Sequence, residues 1–248
     1  MKQYIKKLVI TVLFLFIIFC SYSIFTTTHL SKVVNDAYDS SVFIHAADLN
    51  GTAHGSGTII YDDITSTDRF IYILTAKHIV HNRLFFFANV LSNNEVVNLT
   101  EVYLFSESDT DDLAILKCQV NEKLPIHYKS NISSNLEIGK VISVYPYRLT
   151  WPVCGAGDLL KVRKSYIFND EVIIINLHCC SGMSGSAVRN MNGDIIGVVS
   201  QLLGTKESES EYTVCVSNYR ITKYLDRALW EPLKKYHIET MENLKKGK

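Results

Sequence analysis

The sequence predicts an all-β protein preceded by an N-terminal apolar helix, and three observations predict it. Tyr and Phe number 14 and 11 among many Val and Ile, the residue types that fit a pleated, half-buried strand surface. From about residue 40 to residue 217, short apolar runs alternate with polar turns, the pattern of successive strands. Long helical periods between those runs are missing, so antiparallel barrels or a sandwich are expected rather than a parallel sheet with crossovers.

The strands are expected at Ser41–His45, Gly57–Tyr61, Phe70–Leu74, Leu84–Val90, Val96–Phe105, Leu113–Cys118, Val141–Tyr145, Leu159–Phe168, Val172–Leu177, Asp194–Ser200 and Tyr212–Val216. Val120–Gly139 is polar and holds Pro125, which makes it the expected linker between two β halves at about 40–120 and 137–216. Ser217 can cap a C-terminal helix over 217–236, in which Ile221, Leu225, Ala228, Leu229 and Leu233 recur at steps of three or four. Residues 237–248 form a polar tail.

Composition excludes several function classes. The chain has 248 residues, 47% hydrophobic and 20% charged, enough apolar material for a packed core and too much for a disordered chain. Lys plus Arg and Asp plus Glu are both 25, so no single-sign field is available to hold nucleic acid through its phosphates.

The first 25 residues obey different physics. Lys2, Lys6 and Lys7 precede the uncharged run Leu8–Cys20, the layout of a signal peptide or a signal anchor. Continued through Phe25, the run gives about 27 Å of helix, barely a membrane span. Ser21 and Ser23 form a small-x-small pair that keeps cleavage open; of the two outcomes an uncleaved anchor is preferred, with residues 26–39 as a linker. The lysines put the N-terminus in the cytoplasm and the β domain outside it. Cleavage of the leader would make the protein secreted instead.

Three segments carry chemistry in the order His, Asp, Ser. They are Ile73–Val80 with His78, Asp112–Leu116 with Asp112, and Gly182–Ser186 with Ser184. A serine hydroxyl needs an imidazole to take its proton and a buried carboxylate to fix that imidazole's tautomer. Glycines two before and one after Ser184 permit a tight turn, in which the N–H groups of Gly182 and Ser184 can converge on a developing oxyanion.

These segments resemble those of trypsin-like (chymotrypsin-fold) serine peptidases, closest in pattern to the HtrA type without its PDZ domain. The family's G-S-G-x-I-I strand corresponds to Gly55–Ile60, its L-T-x-x-H-V/I to Leu74–Ile79, its D-L-A-[LIV]-L to Asp112–Leu116, and its G-x-S-G-G to Gly182–Ser186. The resemblance spans residues 40 to 230. It implies two six-stranded antiparallel β-barrels with the active site between them, His78 as general base, Asp112 as its orienting carboxylate and Ser184 as nucleophile. It also implies a protein or peptide substrate and no metal or organic cofactor. Ser186 departs from the motif's last Gly, and Met183 stands where zymogen-type relatives keep an Asp. The expected pocket for the residue on the acyl side of the scissile bond includes His178, Ser200 and Leu202. His178 stands where trypsin-type relatives place an Asp, so Lys and Arg should be poor substrates.

Other readings of the same residues are weaker. Gly-x-Ser-x-Gly marks the nucleophile elbow of α/β-hydrolases, but the triad order there is Ser, Asp, His, and the parallel sheet it needs is not expected. His78 with His81, or His178 with Cys179 and Cys180, suggests zinc, yet no paired C-x-x-C spacing supports it. A catalytically silent binding module on the same fold would have no chemical reason to keep His78, Asp112 and Ser184 together. Beyond Cys20 the domain holds Cys118, Cys154, Cys179, Cys180 and Cys215, an odd set that forbids complete internal pairing. A bridge from Cys179 or Cys180 to Cys154 and burial as small apolar residues are both open.

Overall fold

The computed structural model describes residues 2–49, 51–64, 68–90, 95–98, 101–103, 112–120, 131–147, 151–165, 170–177, 182–203 and 212–230. It opens with a helix, α1, at Lys2–Ser40. Seven strands follow: β1 (Ser41–Asp48), β2 (Gly51–Ile64), β3 (Arg69–Thr75), β4 (Phe85–Val90), β5 (Glu95–Asn98), β6 (Glu101–Tyr103) and β7 (Ala114–Val120). They form a half-barrel sheet in the order β5-β4-β1-β2-β3-β7-β6, and a one-turn helix, α2 (Lys77–Val80), follows β3.

The second half contains β8 (Lys140–Tyr147), β9 (Trp151–Ser165), β10 (Asp170–Ile175), β11 (Ala187–Asn190), β12 (Ile195–Leu203) and β13 (Tyr212–Ser217). These six close into a barrel ordered β10-β13-β12-β11-β8-β9. Helix α3 (Asn218–Leu225) comes last and ends in a π-helical turn at Asp226–Trp230. The fold is thus all-β, with a closed barrel, a half-barrel and a helix at each end. Ser217 has the extended backbone of a cap, but its hydroxyl makes no capping bond and has no hydrogen-bond partner among the described residues. Positions 231–236 of the expected helix, Pro125 and residues 121–130 of the expected linker, and the tail lie outside the described residues.

Strands β3 and β7 explain why their sequences read as unbroken apolar runs. Side chains alternate between the faces of a strand. Ile71 and Ile73 of β3, with Ala114, Leu116 and Cys118 of β7, face the interior of the first half. Tyr72 and Leu74, with Ile115 and the preceding Leu113, face Ala187, Ile195, Val198 and Val216 of the barrel and Ile221, Tyr224 and Leu225 of α3. Both faces are covered, so both must be apolar. The second cluster joins the two halves through one continuous core.

The leader helix is longer than the apolar run. Residues 26–39, expected as a linker of unspecified conformation, continue α1 without interruption, and no Gly or Pro occurs before Gly51. The stretch from Thr11 is apolar enough, and long enough, to cross a membrane by length and composition. Val12–Phe19 are exposed, whereas Val33 and Ala37 are buried against the domain. Cys118 is buried, and burial pushes its thiol up to about 12, which makes it an inert apolar filler. Cys154 is a free thiol, and Cys179 and Cys180 lie outside the described residues.

Arg189 of β11 ties α1 to both halves. It is 5% exposed; its Nη1 donates to the Gly193 carbonyl at 2.8 Å, and its Nη2 to Ser40 Oγ at 2.9 Å and Thr58 Oγ1 at 3.2 Å. Burial pulls the guanidinium down to about 10, against the opposing charges of Asp36 and Asp194. Ser41 next to this knot donates to the Val144 carbonyl of β8 at 3.2 Å. Arg189→Met keeps the volume but leaves buried oxygens without their charged donor, so it should lower the unfolding free energy by about 3 kcal/mol. Urea denaturation checks this: the midpoint should fall at constant slope, and an unchanged midpoint would remove Arg189 as the tie.

Candidate active site

His78 is presented by the junction of β3 and α2. The strand ends at Thr75, Ala76 stays extended, and the helix turns at Lys77. Ile79 and Val80, 1% exposed each, anchor the turn in the first core, so the His78 ring stands outward with its side chain 48% exposed. Asp112 arrives from 34 residues away because β7 pairs with β3 in the register Thr75↔Ala114. Leu113 and Ala114 are fully buried and fix the chain immediately after it.

The Asp112 carboxylate accepts three hydrogen bonds. His78 Nδ1 lies 2.7 Å from Oδ2, the His78 backbone N–H donates to Oδ1 at 2.8 Å, and the Ser200 hydroxyl donates to Oδ2 at 2.6 Å. Burial alone would raise its pKa, but the ring hydrogen bond and charge of His78, the Ser200 hydroxyl and the His78 N–H together outweigh it and hold the carboxyl below the ordinary value. An ionised carboxylate on Nδ1 selects the tautomer with the proton there and leaves Nε2 as the basic nitrogen.

Ser184 lies in the turn before β11. Gly182 and Gly185 have φ of 99° and 86°, a region that only Gly enters without strain. These are the two glycines expected to shape the turn. Met183 is 1% exposed in the barrel core and pins the loop from below. The loop closes on itself and on β12: Ser186 N–H donates to the Met183 carbonyl at 2.9 Å and Gly185 N–H to the Val199 carbonyl at 2.8 Å.

Strand β2 holds the same loop from the other half. Ser56 N–H donates to the Ser184 carbonyl at 2.7 Å, and Ser56 Oγ to the Gly182 carbonyl at 2.5 Å. With these carbonyls engaged, the N–H groups of Gly182 and Ser184 are used by no backbone hydrogen bond among the described residues. A Cβ on Gly185 would come within 2.1 Å of the Ser56 carbonyl oxygen and 2.4 Å of Thr75 Oγ1, and one on Gly55 would meet both Ile79 and the Ser184 carbonyl. Those contacts put the Ser184 loop against the residues that carry His78. Ser184 Oγ and His78 make no direct hydrogen bond in this structure; such bonds often tighten only when substrate binds.

Ser186, the departure from the family motif, is fully buried and accepts a hydrogen bond from Ser143 Oγ at 3.1 Å. Its side chain is accommodated without a positive φ. The pocket residues fare differently. Ser200, expected in the pocket for a substrate side chain, donates its hydroxyl to Asp112. Nothing in the local sequence signals this role, which arises only because β12 crosses behind the carboxylate. Leu202 sits on β12 opposite Thr213, and His178 lies outside the described residues.

A closed antiparallel barrel and a half-barrel, with an imidazole–carboxylate pair on one and a glycine-framed serine turn on the other, define the chymotrypsin-like class of peptidase. The family model described as a trypsin-like peptidase domain matches residues 55–198, more than half of the chain, and the chain belongs to that family. Among solved structures it is similar to the active form of the Rv3671c protease from M. tuberculosis, at 17% identity with a TM-score of 0.62, covering 79% of this chain and 84% of that one. It is also similar to the serine endoprotease from Yersinia pestis, at 20% identity with a TM-score of 0.62, covering 82% of this chain and 67% of that one. A search of curated protein sequences gives no match.

The lowered pKa of Asp112 has a stability consequence with a definite sign. A carboxyl whose folded pKa lies below its unfolded value, here 3.8, stabilises the fold above that value and loses the contribution as pH falls through the folded pKa. The stability gap between wild type and Asp112→Asn should therefore be widest above about pH 4 and shrink as the solution is acidified. Urea midpoints at a series of pH values test this, and a gap independent of pH would contradict it.

Proposed function

We propose that the protein is a serine endopeptidase that hydrolyses peptide bonds through an acyl-enzyme. The observation that carries the proposal is the Asp112 carboxylate on His78 Nδ1 beside the Ser184 turn. Ser184 Oγ attacks the scissile carbonyl carbon as His78 Nε2 takes its proton. The carbonyl oxygen becomes an oxyanion that accepts hydrogen bonds from the N–H groups of Gly182 and Ser184. Collapse breaks the C–N bond, and the leaving amine takes the proton from His78. Water then attacks the ester, giving its proton to His78, and Ser184 Oγ leaves with that proton as the acid product is released. Every proton and electron pair is handled by these side chains, so the reaction requires no metal or organic cofactor. A silent binding module is the competing reading, and turnover separates the two. Ser184→Ala and His78→Ala should each reduce hydrolysis of an unfolded protein substrate by about 10⁴-fold or more while leaving the fold intact. Wild-type activity in either variant would overturn the assignment.

Specificity follows from what the pocket lacks. A carboxylate six residues before Ser184 would be needed to compensate a buried Lys or Arg, and the residue there is His178. Leu202 stands where large-pocket relatives have Gly, and a side chain there narrows the entrance toward Ala, Val or Leu. A peptide library varied at the acyl-side residue should rank those three above Lys and Arg. Dominant cleavage after Lys or Arg would refute this pocket and leave the chemistry of Ser184 untouched.

The apolar part of α1 and the preceding Lys2, Lys6 and Lys7 support a membrane anchor with its N-terminus in the cytoplasm and the peptidase domain outside. In spheroplasts, external protease should degrade the domain without lysis. A domain that survives until lysis would reverse the topology, and a mature N-terminus at Ile24 would mean a secreted enzyme.

A further inference from the structure

Helix α1 has two consecutive parts with no joint between them. The apolar part ends near Phe25, and four residues later, about 6 Å along the axis, the helix is already bound to the barrel. His29 Nε2 donates to the Met191 carbonyl at 3.0 Å. Val33 lies in van der Waals reach of the Gly193 position, Ala37 is buried, and Ser40 receives Arg189. His29, Val33 and Ala37 recur at four-residue steps and so share one helix face. That face runs down the turn between β11 and β12.

The turn itself is well defined. Asn190 Oδ1 accepts from the N–H of Asn192 at 2.9 Å and of Asp194 at 3.0 Å, and Gly193 has a φ of 90°. Between the apolar part and His29, Thr26, Thr27 and Thr28 donate their hydroxyls to carbonyls one turn back, at Tyr22, Ser23 and Ile24. These hydroxyls are satisfied within the helix, which lets the segment sit at the edge of the hydrocarbon region without unpaired donors. Tyr22 is exposed at the same level, where an aromatic ring suits a membrane interface. Charge follows the same order: Lys32 is exposed near the apolar end, and Asp36 and Asp39 lie farther from it.

We infer that the β11–β12 turn, with Met191 and Asn192 at its tip, lies against the lipid headgroup surface, so that α1 fixes the tilt and height of the peptidase domain above the bilayer. The inference rests on the anchoring proposed above. A flexible tether would let the cleft point anywhere; a helix bound along its face from residue 29 to residue 40 gives it one orientation. The helix beyond Phe25 is about 22 Å long, which sets the height at which it hands over to β1. Strand β1 then carries the chain away from Ser40 to Leu49, which is 92% exposed.

The full-length protein, reconstituted into vesicles of phosphatidylethanolamine and phosphatidylglycerol with an energy acceptor on the headgroups, provides the test. A fluorescent amino acid replaces Asn192 in one sample and Leu49 in another. Transfer should be severalfold stronger from position 192. Insertion of Gly-Ser-Gly-Ser between Thr28 and His29 should bring it down toward the value from position 49 while the protein still floats with the vesicles. Equal transfer from both positions in vesicle-bound protein, or transfer from 192 that the insertion leaves unchanged, would overturn the fixed orientation. Protein that does not float with the vesicles would instead overturn the anchoring, and the orientation with it.

Discussion

The carboxylate of Asp112 is the point at which both halves of the molecule meet chemically. It receives the His78 ring and the His78 backbone N–H from the half-barrel, and the Ser200 hydroxyl from the closed barrel. Three donors at 2.6–2.8 Å keep it charged despite burial, and a charged group in that position dictates the state of the imidazole. Movement of either half would break at least one of these bonds. The relative position of the halves is therefore tied to the protonation chemistry of the site.

Apolar packing makes that meeting point stable. The cluster of Tyr72, Leu74, Leu113 and Ile115 with Val198, Val216, Ile221 and Leu225 spans both halves and α3, so the residues next to Asp112 in sequence are also the ones that weld the domain. Ser56 completes the arrangement from β2 by holding the carbonyls of Gly182 and Ser184, which joins the serine turn of the closed barrel to the half-barrel. Arg189 adds a second polar junction by joining the end of α1 to β2 and β11.

Much of this was legible in the sequence because the residues that decide it are local. Alternating apolar runs between turns mark eleven strand regions, and each overlaps an observed strand; Val96–Phe105 overlaps both β5 and β6. Strand β11 escaped because Ala187–Asn190 is short and carries Arg189, a residue that belongs inside only because Ser40, Thr58 and Gly193 wait for it. Strand β9 starts eight residues earlier than its apolar pattern, at Trp151. Gly155 and Gly157 weaken the local signal there, but they allow close approach to Leu177 and Asn176. Residues 26–39, expected as a linker, continue α1, where Thr26, Thr27 and Thr28 donate their hydroxyls back to carbonyls of the same helix. At the site, the motifs locate His78, Asp112 and Ser184, whereas the contribution of Ser200 depends on a strand crossing that no motif encodes.

The central claim is that Asp112, acting through His78, makes Ser184 a nucleophile, and a fluorophosphonate probe measures it directly. The probe bonds covalently to an activated serine oxygen, so peptide mass spectrometry of the treated full-length protein identifies the atom, and the time course gives its reactivity. A single adduct on Ser184, formed orders of magnitude more slowly in Asp112→Asn, is the predicted result. No adduct at Ser184, or equal rates in the two proteins, would contradict it.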